Sequence, residues 1–310
     1  MNFKVRTDLA IEAAELCEDV GNIPGCRVDR DIRNGVEVNI VEITDEYASE
    51  RIGKPVGRYV SLHSEAIRTG EDGEYDIISS LLQEELSKLA GKCDNVLVVG
   101  LGNRAITPDA LGPKVAEKIF VTRHLNEEKI ITDAKIPSVS AISPGVLGTT
   151  GIETGEIIHS VTERIKPDVI IVVDALAAGN IDRVTSTIQI SDTGIIPGSG
   201  VGNRRNSLTE DTLGVPVIAI GVPTVVDAAT VANDALDILT LAIKENAGED
   251  SALYKSVSNL ENENRVSLIK QVLQPFVGNL IVTPTEIDSV MDHISIVIAD
   301  AVNRTFVGDI

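Results

Sequence analysis

The chain is predicted to fold as an α/β protein built on an open, mostly parallel sheet with helices on both faces. Two observations predict it: short continuous apolar runs recur along the sequence, and segments with helical spacing of apolar residues lie between them. A strand buried on both faces of a parallel sheet has no polar side to show, so it reads as an unbroken apolar run rather than an alternation. Such runs alternating with helices stack as helix, sheet and helix.

The first core run is Asn95-Val-Leu-Val-Val-Gly100 and the second is Asp168-Val-Ile-Ile-Val-Val-Asp174; residues 185–190 and 215–220 supply a third and a fourth. Helical spacing covers 112–121, 155–165 and 226–244. Ahead of this core, 36–43 alternates as a half-buried strand, 58–63 reads as another and 75–90 as a helix. Residues 1–35 are charged and interrupted by Gly21, Pro24, Gly25 and Gly35, which predicts a loosely attached N-terminal arm. Residues 246–264 are polar and predict a loop. A helix over 265–275, a short strand over 279–282 and a helix over 285–303, with Thr285 as its N-cap, complete the chain. The expected organisation is one α/β domain over 9–310. It comprises additional strands and a helix over 36–90, a core over 95–245, the loop over 246–264 and C-terminal helices over 265–310.

With 310 residues and 43% hydrophobic content the chain can bury a large core without staples. Its three cysteines, Cys17, Cys26 and Cys93, form no CxxC pair, which argues against a disulfide framework or zinc ribbon and for a reducing compartment. There is no signal-like apolar segment near the start and no run approaching the ~18 apolar residues that span a bilayer, so a cytoplasmic protein is expected, with no membrane partner. Lys and Arg number 27 against 47 Asp and Glu, a net charge of -20, which repels phosphate backbones and disfavours direct contact with nucleic acid. Aromatic residues make up 3% and tryptophan is absent, leaving few stacking platforms for bases.

In an open parallel sheet, reacting groups gather beyond the carboxyl ends of the strands. That rule selects Gly100-Leu-Gly-Asn-Arg-Ala-Ile-Thr-Pro-Asp-Ala-Leu-Gly-Pro113, leaving the first core strand, and Asp174-Ala-Leu-Ala-Ala-Gly179, at the tip of the second. Each offers one aspartate, Asp109 or Asp174. Two facing carboxylates cannot both ionise cheaply, so the pair can hold one proton and act as base toward water and acid toward a leaving amine. Either aspartate could instead be a turn or helix cap.

Competing signals are weaker. Gly100-Leu-Gly-Asn-Arg-Ala105 fits a dinucleotide fingerprint but runs into Ile-Thr-Pro-Asp instead of a helix, and no acidic strand end follows about 20 residues later. Asp192-Thr-Gly194 matches the triplet of pepsin-like proteases, whose chemistry belongs to β-rich two-lobed folds. His63, His124, His159 and His293 include no HExxH and no pair four apart, so no metal site is expected. Neither a GxSxG elbow nor a Walker lysine is present. The glycine-rich Pro197-Gly-Ser-Gly-Val-Gly-Asn-Arg-Arg205 brings Arg204 and Arg205 to the same sheet edge, where they could hold an acidic substrate side chain by bidentate contacts or simply balance Glu210 and Asp211.

The string from Gly100 through Pro113-Lys-Val115 resembles the signature of the germination proteases of spore-forming bacteria. The likeness continues through Val121-Thr-Arg-His-Leu125, Ile142-Ser-Pro-Gly-Val146, Gly151-Ile-Glu-Thr154, Val173-Asp-Ala-Leu-Ala177, Ile190-Ser-Asp-Thr-Gly194, Pro197 to Asn203 and Gly221-Val-Pro-Thr-Val-Val-Asp227. The resemblance implies an atypical aspartic endopeptidase whose fold is similar to that of hydrogenase maturation proteases, of the phosphorylase/hydrolase-like kind. It implies Asp109 and Asp174 as the catalytic pair and no required cofactor. The implied substrates are small acid-soluble spore proteins, cut after Glu or Asp in the spore core during germination. The implied enzyme is a homotetramer made as a self-processing zymogen. Arg6-Thr-Asp-Leu-Ala-Ile-Glu12 is similar to the family's processing site, which places the cut between Asp8 and Leu9 and makes residues 1–8 a propeptide. Two other readings remain: a nickel-dependent maturation-type endopeptidase, although no histidine lies between Asp174 and the strand at 215–220, and a non-catalytic nucleotide-binding α/β protein.

Overall fold

The computed structural model describes residues 7–17, 21, 23–70, 73–128, 136–196, 207–248, 250–252, 254–255, 268–269, 271–272 and 280–308. Their centre is a nine-stranded mixed sheet of β1 (Cys26–Arg33), β2 (Val36–Ile43), β3 (Gly57–His63), β4 (Asn95–Gly100), β5 (Ser138–Ile142), β6 (Val169–Ala178), β7 (Thr187–Ser191), β8 (Val217–Asp227) and β9 (Ile281–Val282). The spatial order is β1-β2-β3-β7-β8-β6-β4-β5, with β9 against β8. Helices of six or more residues are α1 (Ala10–Glu15), α2 (Glu46–Ile52), α3 (Glu74–Ala90), α4 (Leu111–Ala116), α5 (Thr154–Ile165), α6 (Ala228–Ala247) and α7 (Ile287–Phe306).

The expected open α/β sheet is there, and its two halves differ. Strands β8, β6, β4 and β5 are parallel to one another, whereas β1, β2, β3 and β7 join each other and β8 antiparallel. The third apolar run therefore enters the sheet against its neighbours' direction, which an apolar pattern cannot reveal because burial on both faces looks the same in either sense. β1 reaches β2 through Asn34 and Gly35, both with positive φ, as a two-residue hairpin requires.

Alternate residues of the strands serve two cores. Val96, Val98, Ile171, Val173, Ile188 and Ile190 face α3, α4 and α7, whose apolar stripe includes Met291, Ile294, Ile298 and Val302. On the opposite face Leu97, Val99, Ile170 and Val172 pack with Ile158 of α5, and farther along Val41, Ile43, Tyr59 and Leu176 receive α1 and α2. The described start of the N-terminal arm is thus seated, not loose: Leu9, Ala10 and Ile11 are wholly buried. The apolar sextet Leu9 to Ala14, broken only by Glu12, is enough to dock one helical turn despite the charged flanks. The long C-terminal helix begins one residue later than expected, with Glu286 at the cap position and Thr285 in the preceding turn. The segment expected to be a helix over 265–275 falls mostly outside the described residues.

Helix α4 lies unusually close to the sheet. A Cβ on Gly112 would stand 2.2 Å from Leu101 O, 2.4 Å from Leu101 N and 2.6 Å from Val173 O, all backbone atoms that cannot step aside. Gly112→Ala is expected to destabilise the protein by about 2–3 kcal/mol, the upper part of the range for core overpacking, read as a lower urea midpoint. An unchanged midpoint would mean that the helix can ride outward freely. No helix among the described residues is long and apolar enough to cross a membrane.

Candidate active site

Strand order reverses between β4 and β6, since β5 lies on the far flank of β4, and loops on the two sides of such a point leave a crevice. Asp109 comes from the loop after β4. Gly102, with φ +113, turns that loop, and its missing side chain admits Asp109: a Cβ there would meet Asp109 O at 2.0 Å. The Asn103 N–H donates both to Asp109 O at 3.0 Å and to Asp109 Oδ2 at 2.8 Å, while Asp109 N–H donates to Ile106 O at 2.8 Å. The residues that resembled a nucleotide loop thus run into a 3-10 turn over Thr107–Asp109. They lead to a carboxylate, not to an open ring of amides.

Asp174 lies on β6, level with the end of β4, because Gly100 pairs with Val173. It is not at the strand's tip: β6 runs on to Ala178 beside β8. The turn carrying Asp109 touches both β6 and β8. Asp174 is 7% exposed and accepts one hydrogen bond, from Ala175 N–H at 2.9 Å. Burial pushes its carboxyl well above the usual range, and the charges of Asp109 and Asp8 push the same way. Asp109 is half-buried; desolvation raises it too, opposed by the Asn103 N–H. Asp174 is the more deeply buried of the two, so it is the carboxyl on which a shared proton is better held.

Beyond Gly100, the flank of β6 is taken by the N-terminal segment. Asp8 N–H donates to Ala177 O at 2.9 Å, and Ala177 N–H donates to Asp8 Oδ2 at 2.8 Å. Lys54 Nζ donates to Thr7 O at 3.0 Å; burial lowers this ammonium's pKa against the pull of Asp8 and Glu12. Gln189 of β7 accepts from Ala10 N–H at 2.7 Å through Oε1, with Nε2 at 3.4 Å from Asp8 O. Four residues past Asp8, Glu12 is buried. It accepts from Gly179 N–H at 2.7 Å and from the Thr7 hydroxyl, and Arg183 Nε lies 3.8 Å from its Oε1. Desolvation raises the Glu12 carboxyl despite these contacts. A cleft of about 580 Å³ opens beside Asp8, bordered by Lys54, Tyr59, Thr193 and Gly221.

The structure therefore brings Asp109, Asp174, Asp8 and Leu9 to one place. Arg204 and Arg205 lie outside the described residues. Lys54, Arg183 and Gln189 escaped the sequence reading. Only Gln189 carried a signal, as a lone amide inside the otherwise apolar Ile188-Gln-Ile190. Among the described residues, no group of three or more His, Cys, Asp or Glu could hold a metal ion.

A family model described as germination protease matches residues 6–256 and 244–310. A germination protease from Caldanaerobacter subterraneus subsp. tengcongensis is 47% identical over 302 residues, covering 96% of this chain and 93% of the relative. One from Clostridium acetobutylicum is 48% identical over 309 residues, covering 96% and 94%. Among solved structures, a [NiFe] hydrogenase maturation protease HycI from Thermococcus kodakarensis aligns with TM-score 0.31 and 21% identity over 45% of this chain and 80% of its own.

Proposed function

The chain belongs to the germination protease family and is a peptidase, and from that premise we propose that Asp109 and Asp174 are its catalytic pair and that the bond between Asp8 and Leu9 is its own processing site. Asp109, ionised first, takes a proton from water as the water attacks the carbonyl carbon of Asp8. Asp174, still protonated, gives its proton to the departing Leu9 nitrogen. One carboxylate and one carboxylic acid suffice for both steps, and no metal enters.

The observation that carries this reading is the pairing of Asp8 with Ala177 of β6, which places Asp8 close to the Asp174 carboxyl. Asp8 meets β6 through a main-chain bond, the kind of contact by which extended peptides add to a sheet, before the chain turns into α1. We read the segment as the enzyme's first substrate and its cradle as the site for others. Ala177 N–H and the nearby Lys54 suit an acidic residue before the cut. Gly179 N–H and Arg183 suit a second one four residues after it. The proposed substrates are small acid-soluble spore proteins of the spore core. Their disorder off DNA would let them enter extended. The proposed assembly is a homotetramer, which exposed Ile238, Leu239 and Leu241 on α6 would serve as apolar contact surface.

Incubating the purified full-length chain with a spore acid-soluble protein, then weighing all fragments, tests the proposal. The expected result is a new N-terminus at Leu9 and substrate fragments ending in Glu or Asp. Cuts after other residue types, or an enzyme that keeps residues 1–8 while fully active, contradict it.

A further inference from the structure

Gln189, Gly221 and Asp174 stand side by side on β7, β8 and β6: Gln189 pairs with Gly221, and Gly221 with Asp174. Directly paired residues project from the same face of a sheet. The middle position carries no side chain of its own, and a Cβ there would stand 2.4 Å from Leu176 Cδ1. The carboxamide of Gln189 and the carboxyl of Asp174 therefore project from one face two strands apart, with the Leu176 side chain lying over Gly221 between them. Ile188 and Ile190 point into the opposite core, which holds Gln189 on the side of α1. Gln189 is 7% exposed, so a carboxamide here needs partners.

Its partners are the two main-chain groups on either side of Leu9. Oε1 accepts from Ala10 N–H at 2.7 Å and Nε2 faces Asp8 O at 3.4 Å. The orientation of the amide follows from chemistry: Ala10 N–H can only donate, so the oxygen faces it, and the NH₂ is left for the Asp8 carbonyl. That carbonyl belongs to the bond read above as the one cut. We propose that Gln189 is a catalytic residue of this peptidase, donating from Nε2 to the oxygen of the scissile carbonyl while Oε1 holds the N–H two residues beyond the acidic one. The inference rests on the reading of the bond between Asp8 and Leu9 as the processing site.

Attack by water turns the carbonyl oxygen into an oxyanion, and a donor that is long in the ground state gains most when that charge appears. The contact reads main chain only, so it applies to any peptide lying in the cradle. Side-chain selection is left to Ala177, Lys54, Gly179 and Arg183.

The test is the first-order rate of self-cleavage in the purified full-length chain carrying Gln189→Glu or Gln189→Met. Glutamate keeps an acceptor for Ala10 N–H but, ionised, has nothing to donate; methionine keeps the length and loses both groups. Each is expected to slow the cut by about 10²–10³-fold, the loss seen when one oxyanion donor is removed, with the unfolding temperature within a few degrees of the parent. Should the glutamate variant fail to fold, the uncharged methionine variant decides. A rate within threefold of the parent in a folded variant overturns the inference. Asp109→Asn and Asp174→Asn are run in parallel. If those two still self-cleave, the reading of the aspartate pair fails, whereas if they stop and the Gln189 variants run at parental rate, only the role of Gln189 is lost.

Discussion

Asp174→Asn is expected to lower peptide cleavage by about 10³–10⁴-fold, the upper part of what a positioned general acid contributes. Asparagine occupies the same volume beside Ala175 N–H but has no proton to give to a departing amine. The parent's rate should rise with pH as Asp109 ionises and fall again as Asp174 loses its proton. Those two limbs belong to the coupled pair, not to either residue alone. In Asp174→Asn the alkaline limb should vanish along with most of the activity. Retention of more than a tenth of the parental rate would remove Asp174 from the mechanism.

The same substitution should raise stability at neutral pH. Asp174 has a folded-state pKa above its unfolded value. The folded protein therefore holds a proton that the unfolded chain has already released. Stability from this site is greatest below the unfolded value, about 3.9. It declines as pH climbs toward the raised folded value. Asparagine does not titrate, so the variant should melt above the parent at pH 7 and alongside it near pH 4. Equal melting at both pH values would show that burial of this carboxyl costs nothing.

The second large effect is expected at Gly102. An alanine there must adopt φ near +113, a region side chains avoid, and its Cβ would lie 2.0 Å from the carbonyl oxygen of Asp109. The loop can relieve that only by moving Asp109 off the Asn103 N–H. A misplacement of about 1 Å at a reacting group can cost about 100-fold in rate. Gly102→Ala should therefore lose about that much activity and also melt below the parent, since Gly102 is buried and its positive φ strains any side chain. Full activity in the variant would show that Asp109 does not depend on this close approach.

Much of the fold and of the aspartate pair was legible in the residues, and the parts that were not share a cause. β4 and the buried part of β6 stand out because a two-sided burial needs unbroken apolar runs, and Val96 to Val99 and Val169 to Val173 are such runs. Asp174 was visible because it ends an apolar run, and Asp109 because it is the acidic residue of the loop leaving the other run. β5 was missed: Ser138, Ser140 and Ala141 on an edge strand look like loop. β1 was missed because six of its eight residues are charged or Cys, as suits an exposed sheet edge. Lys54, Arg183 and Gln189 come from separate elements and meet only through folding. No local pattern announces a contact between positions 10 and 189.

Leu9 is buried, and a cut beside it would leave both new chain ends in poor surroundings. Hydrolysis turns one neutral amide into a free carboxylate on Asp8 and an ammonium on Leu9, a residue with no exposure to water. The carboxylate would sit close to the acidic Asp174, and the ammonium would lose its hydration where it stands. Neither fragment end can rest comfortably where the bond lay, so the reaction would weaken the hold of its own product. If residues 1–8 are the propeptide proposed above, that discomfort would favour their departure once the bond is cut.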